Sequence, residues 1–182
     1  MQPDRIIVSR TDRAGDFILT LPVFRELKKA FPQSRLIAHV RSYTAPLAQL
    51  AGEIDEIILD DSYPAGLWSS PLAEDFREKR FDLAVIVHPA GRSILAAWRA
   101  GIRRRVGRAS NIFQLFLNDR RVQKRSRNEK HEFEYNLDLL SGIVPAIDFS
   151  PWSFKLPEQL ITEGMEFLAR TGRIVRGACL GV

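Results

Sequence analysis

Ile6–Pro32, reading IIVSRTDRAGDFILTLPVFRELKKAFP, decides the fold. Ile6, Ile7 and Val8 are β-branched and uniformly apolar, the composition of a strand buried on both faces of a parallel sheet. Thr11–Asp16 interrupts that run with polar residues and one glycine. Phe17, Ile18, Leu21, Phe24, Leu27 and Phe31 then return at helical spacing. A strand, a tight turn and an amphipathic helix form the first half of a βαβ unit. Open α/β sheets bind their ligands outside the carboxyl ends of the strands, which is where the turn TDRAGD falls.

The rest of the chain repeats the alternation. Arg35–Val40 reads as a second strand, Tyr43–Ala51 as a short helix and Ile54–Leu59 as a third strand. Asp60–Gly66 is rich in turn formers. Leu67–Lys79 reads as a helix whose start is obscured by Pro71. Phe81–Val87 is an apolar strand that runs through HPAGRS into a helix at Ser93–Ala100. Arg105–Val106 suggests a short strand, and Asn111–Asn128 reads mostly as loop. Glu132–Ile143 is a helix with Phe133, Leu137, Leu140 and Ile143 on its buried stripe. The prolines of AIDFSPWSFKLPE mark a linker, followed by a helix at Glu158–Arg170, closed by Gly172, and a new strand in Arg173–Val182. The pattern predicts an α/β, Rossmann-like parallel sheet with helices on both faces. It divides the chain into a domain at 1–153, a linker and helix at 154–172, and the start of a truncated second domain at 173–182. A lone terminal strand cannot bury itself, so a second domain is expected to complete it.

The formal charge of +5 favours an anionic partner: nucleic acid, a phosphate-bearing ligand or a membrane surface. The single cysteine, Cys179, excludes an internal disulfide framework and fits a reducing compartment. The N-terminal residues lack the apolar core of a signal peptide, and no apolar run approaches bilayer-spanning length, so a cytoplasmic location is expected. Three scattered histidines and one cysteine give no metal-ligand spacing.

TDRAGD lacks the three glycines of a dinucleotide fingerprint and is followed by no GK[ST] of a P-loop. Gly15 would allow close backbone approach or a positive φ at the helix entrance. Asp16 admits two readings, a carboxylate capping the helix or one held at a cleft mouth to accept a proton from a substrate hydroxyl. Asp12 lies in the same turn.

The run RTDRAGDFILTLPVFRELKKAFP resembles the N-terminal motif of the heptosyltransferase-like glycosyltransferases of family 9, which add ADP-heptose to the lipopolysaccharide inner core. The matching positions are Gly15, Asp16, Leu21, Pro22, Leu27, Lys28, Phe31 and Pro32. FDLAVIVHPAGRS, AGIRRRVGR and KHEFEYNLDLLSGI match in order, so the resemblance spans about Arg5 to Ile143. It implies the N-terminal, acceptor-binding half of a GT-B architecture, with most of the donor domain missing. The implied reaction is inverting and metal-independent transfer from ADP-heptose, used as donor substrate with no further cofactor. Asp16 inherits the role of general base. The candidate acceptor-binding residues are Arg13, Gly15, His88, Arg92 and Arg120. Half of such a two-domain cleft, standing alone, is expected to be inactive.

His88 and Arg92 follow the Phe81–Val87 strand and share a sheet edge with Asp16. Arg92 could grip a carboxylate or phosphate in bidentate fashion, and His88 is either a sugar contact or a hydrogen-bonded turn residue. His39, within a strand, reads as structural. His131 resembles the family histidine before its helix, where capping or packing explains it equally well. Between Arg103 and Lys130 stand Arg103, Arg104, Arg105, Arg108, Arg120, Arg121, Lys124, Arg125, Arg127 and Lys130, against Asp119 and Glu129. That run is either a solvated loop or a landing site for an anionic lipopolysaccharide acceptor and for the inner-membrane surface. Phe113 and Phe116 are expected to face the core, and Trp68, Trp98 and Trp152 to pack. A different class of function, a non-catalytic module binding an anionic glycan or lipid, fits the same basic run. A nucleic-acid partner is not expected, because no stacking platform or RNA-binding motif accompanies the charge.

Overall fold

The computed structural model describes residues 2–125, 129–150 and 156–170. Six strands form one sheet: β1 (Arg5–Ser9), β2 (Arg35–Val40), β3 (Glu56–Leu59), β4 (Leu83–Ile86), β5 (Arg104–Arg108) and β6 (Asp119–Arg121). Their order is β3-β2-β1-β4-β5-β6, and every neighbouring pair is parallel. This is the doubly wound Rossmann order. The helices are α1 (Ala14–Ile18), α2 (Leu21–Ala30), α3 (Ala45–Gln49), α4 (Ser70–Glu78), α5 (Gly91–Arg99), α6 (Glu132–Asp138) and α7 (Glu158–Arg170). Short 3-10 turns occupy Ser42–Thr44, Asp60–Ser62 and Ile112–Phe116.

The central strands are apolar because both their faces are covered. Ile7, Ile37, Ala84 and Ile86 pack with Leu72 and Phe76 of α4 and with Ile94 and Ala97 of α5. Ile6, Val8, Leu36 and Val85 alternate to the other face and are also sealed from solvent. The sequence pattern located these elements, with three physical corrections. The first helix is broken. Pro22 has no N–H to donate and its ring excludes the carbonyl of Ile18, so α1 ends before α2 begins. The stretch read mostly as loop carries two elements within its described part, 111–125: the Ile112–Phe116 turn and the sixth strand. DRR is too short and too cationic to show strand periodicity, but an edge strand needs only one partner, here β5. The helix expected at Glu132–Ile143, α6, stops at Asp138, and burial there runs through Tyr135, Leu137, Leu139 and Leu140, with Phe133 and Ile143 only half-buried.

The chain divides into two compact units, Met1–Ser150 and Pro151–Val182. The start of the expected linker belongs to the first unit. The Asp148 N–H donates to buried Glu26, 3.1 Å away, and Arg25 donates to the Asp148 carbonyl at 3.1 Å. The expected strand at 173–182 and Trp152 lie outside the described residues. Among the described residues no helix is long and apolar enough to cross a membrane.

Candidate active site

In the order β3-β2-β1-β4-β5-β6 the direction of winding reverses between β1 and β4, which opens a crevice at their carboxyl ends. The chain leaving β1 supplies Arg10, Asp12 and Asp16, and the chain leaving β4 supplies His88. Both exits are fixed by backbone. The Arg10 N–H donates to the His39 carbonyl at 2.9 Å, and the Val87 N–H donates to that of Ser9 at 3.0 Å.

Arg10 organises this edge. Its side chain is 5% exposed, and a buried guanidinium is stable only when paired and hydrogen-bonded. Nε donates to Asp12 at 2.6 Å, and the terminal nitrogens lie 3.2 Å from Asp16 and 3.6 Å from Glu132. Asn136 Oδ1 stands 3.5 Å from Arg10, and its amide donates to the Leu19 carbonyl at 3.0 Å, between α1 and α2. Arg125 shares both acceptors on α6, pairing with Glu132 and reaching Asn136 at 3.5 Å. One oxygen of Asp16 is therefore pinned, while its other oxygen has no partner among the described residues.

Asp12 bridges to the second strand end, accepting from His88 Nδ1 at 3.2 Å. Burial works to raise the Asp12 carboxyl, but the His88 hydrogen bond and the Arg10 guanidinium outweigh it and hold the group below its ordinary value. The His88 side chain is partly exposed at this edge. The Tyr43 hydroxyl donates to the Asp12 carbonyl and closes the turn from the β2 side.

Asp16 does not cap its helix. Arg13 is the N-cap, and Asp16 stands in the first turn with its side chain directed to Arg10. Gly15 is helical, does not take a positive φ, and has open space where a Cβ would stand. Arg13 is exposed beside it. Arg92 is engaged within the chain. Nε lies 3.0 Å from Asp60, and the terminal nitrogens donate to the Pro64 and Asp60 carbonyls at 2.9 and 3.0 Å. It braces the loop after β3, together with buried His39, which links Ser9 Oγ at 2.9 Å to Asp60 at 3.2 Å. Burial raises the Asp60 carboxyl, but His39 and then Arg92 overcome it and leave the group lowered. Arg120 is exposed on β6, three strands from β1, or about 14 Å at ordinary strand spacing. Asp12, Asp16 and His88 converge; Arg92 and Arg120 do not join them.

Much of the basic run is internal wiring. Arg104 and Arg121 both pair with Asp119 at 2.6 Å, Arg105 donates to the Phe116 carbonyl at 2.8 Å, and Lys130 pairs with Asp138 at 2.7 Å. Burial lowers the Arg108 guanidinium, and Arg125 and Arg10 nearby lower it further, against Glu132. At His131 the capping explanation holds, since its backbone N–H donates to Glu134 at 2.6 Å. Phe113 and Phe116 pack against the core as expected, whereas Trp68 and Trp98 are exposed. Among the described residues no three His, Cys, Asp or Glu side chains are placed to hold a metal ion. A cavity of about 250 Å³ lined by Pro3, Phe31, Asp82 and Arg104 lies at the opposite, amino edge of the sheet. Its one acid, Asp82, is taken up by the Asp4 and Arg5 N–H groups at 2.8 and 3.1 Å, and the carboxyl edge is the better candidate.

Sequence reading missed Arg10, Glu132 and Asn136, and it placed Arg125 only in the basic run. The available signal was an arginine directly after a buried strand and a Glu-x-x-x-Asn spacing that puts two polar groups on one helix face. Their meeting depends on long-range packing.

A Haemophilus influenzae protein provisionally named as a glycosyltransferase is 36% identical over 137 residues, which cover 75% of this chain and 40% of that protein. Lipopolysaccharide heptosyltransferase 2 of Escherichia coli is 27% identical over 124 residues, covering 65% of this chain and 35% of the relative. Among solved structures, a family 9 glycosyl transferase from Veillonella parvula superposes with a TM-score of 0.73 at 22% identity, over 97% of this chain and 54% of that one. The E. coli ADP-heptose lipopolysaccharide heptosyltransferase II gives 0.69 at 21%, over 100% and 56%. No protein-family model matches the chain. The chain spans about half the length, or less, of these proteins. The resemblance read from the sequence is borne out: the chain is heptosyltransferase-like, and its fold is half of a GT-B architecture.

Proposed function

We propose that this heptosyltransferase-like chain is the acceptor-binding half of an inverting, metal-independent glycosyltransferase. The donor is ADP-heptose, the acceptor an anionic inner-core lipopolysaccharide sugar, and Asp16 the general base. The observation that carries the reading is the Arg10 cluster at the switch point: one Asp16 oxygen is held 3.2 Å from a buried guanidinium while the other is open. A carboxylate so oriented can take the proton of an acceptor hydroxyl as its oxygen attacks the anomeric carbon. The bond to ADP breaks on the opposite face, and ADP leaves with the electron pair. Arg13, the Gly15 backbone and His88 line the same edge and are the acceptor contacts on this reading. Arg92 and Arg120 are left out of it, because one is engaged by the loop after β3 and the other stands on the far strand. Arg10 keeps Asp16 in place without touching substrate.

The experiment is transfer by this half joined to a nucleotide-sugar-binding half, with D16N as the variant. The expected result is a fall in kcat of about 10²–10⁴-fold with acceptor binding retained. If D16N turns over at the parent rate, Asp16 is not the base; if the joined parent binds acceptor and transfers no sugar, the chain is a non-catalytic module for an anionic glycan.

A further inference from the structure

The three most exposed large apolar side chains of the described residues fall within one short stretch of chain. They are Val122 at 81%, Ile112 at 69% and Leu115 at 65%. Ile112 and Leu115 are one turn apart on a 3-10 helix, so they eclipse each other and form a single ridge. The neighbouring ridge, Phe113 and Phe116, is the one that anchors the helix. A Cβ on Gly91 of α5 would stand 2.6 Å from the Phe113 ring, and Phe116 lies 4.9 Å from half-exposed Trp98. The Ile112–Leu115 ridge is the one turned to solvent.

Strand register brings the third apolar residue and a cation to the same face. Gly107 of β5 pairs with Arg120 of β6, so the two point to one side of the sheet. Leu117 lies 2.9 Å from the place of a Gly107 Cβ, which identifies that side as the one covered by the 3-10 helix. Asp119 and Arg121 point the other way, where they pair with each other and with Arg104. Val122 follows Arg121 and returns to the side of Arg120. Arg120 and exposed Lys124 have no partners among the described residues, and between Ala109 and Arg125 the sequence has one acid, Asp119, which is already paired.

We propose that this ridge is a docking surface for an anionic lipid bilayer. Ile112, Leu115 and Val122 enter the headgroup boundary, Trp98 lies beside them, and Arg120 and Lys124 meet the lipid phosphates. Exposed aliphatic side chains flanked by uncompensated cations match that surface in both polarity and charge, whereas a nucleic-acid backbone would leave the aliphatic ridge in water. The surface is separate from the Arg10 cluster and does not depend on the catalytic reading.

Cosedimentation of the chain with phosphatidylcholine vesicles, with and without phosphatidylglycerol, tests this. The chain is expected to bind the mixed vesicles, to bind phosphatidylcholine alone much more weakly, and to be released as salt rises. I112S/L115S/V122S should lower the partition by roughly ten-fold or more with an unchanged circular dichroism spectrum. R120Q should lower it roughly five-fold, the weight of one cation beside an anionic surface. Should the triple variant fold poorly, L115S and V122S are used singly, each with a loss of roughly three-fold. Absence of binding by the parent chain overturns the proposal, as does a triple variant that binds like the parent. Concentration-dependent self-association that the triple variant abolishes, with vesicle binding untouched, would instead make the ridge an interface between copies of this chain.

Discussion

The turn after β1 and the segment after β5 are both strongly charged, and they use charge in opposite ways. At the turn, Arg10 is buried and surrounded by Asp12, Asp16, Glu132 and Asn136, so each charge has a fixed counterpart. In the segment, Arg104, Arg105 and Arg121 fasten β5, β6 and the 3-10 helix, while Arg120 and Lys124 remain in solvent beside exposed aliphatic residues. The difference follows from burial. A guanidinium removed from water must find acceptors or the chain will not close over it, so its neighbourhood becomes ordered. A guanidinium left in water loses little by lacking a partner, and it stays free for something outside the chain. Ordered charge suits positioning a reacting group, and free charge suits a diffuse surface.

Substitutions on the two sides should therefore differ greatly in cost. R10M strands Asp16 and takes one of two partners from Asp12 and from Glu132, and is expected to lower stability by about 3–5 kcal/mol, read from urea unfolding. R10K should restore part of that loss, because it returns the charge without the forked geometry. R92M breaks the bracing of the β3 loop and should cost about 2–3 kcal/mol by the same measurement. An R92M loss as large as that of R10M would show that the loop, rather than the turn, is the more demanding site. Smaller again is the acid limb. The Asp12 and Asp60 carboxyls are lower in the folded chain than their ordinary value of 3.8. Their contribution is present above that value and is lost as pH falls through the lower folded values, so stability should drop below about pH 4. D12N should flatten this limb, by of order 1 kcal/mol in unfolding measured between about pH 5 and pH 2. R120Q, at the solvated end of the comparison, should change stability by less than about 0.5 kcal/mol. A larger loss would place Arg120 in the wiring and weaken its assignment to a lipid surface.

The sequence by itself determined the doubly wound sheet, because buried parallel strands and amphipathic helices leave local periodic signals. Ile6–Val8, Arg35–Val40 and Phe81–Val87 could be read without knowing their neighbours. The family motif also stood in the sequence, and with it the place of Asp16 at a strand end. Tertiary structure decided which charges meet. Arg10 lies 126 residues from Asn136, and only the packing of α6 beside α2 brings them to 3.5 Å. His88 and Arg92 look equivalent in HPAGRS, yet the first pairs with Asp12 and the second folds back into the β3 loop, since successive positions on a turn and helix face different neighbours. The sixth strand was invisible for the same reason. Three polar residues become a strand only when an existing edge offers them hydrogen bonds, and local sequence does not encode that edge.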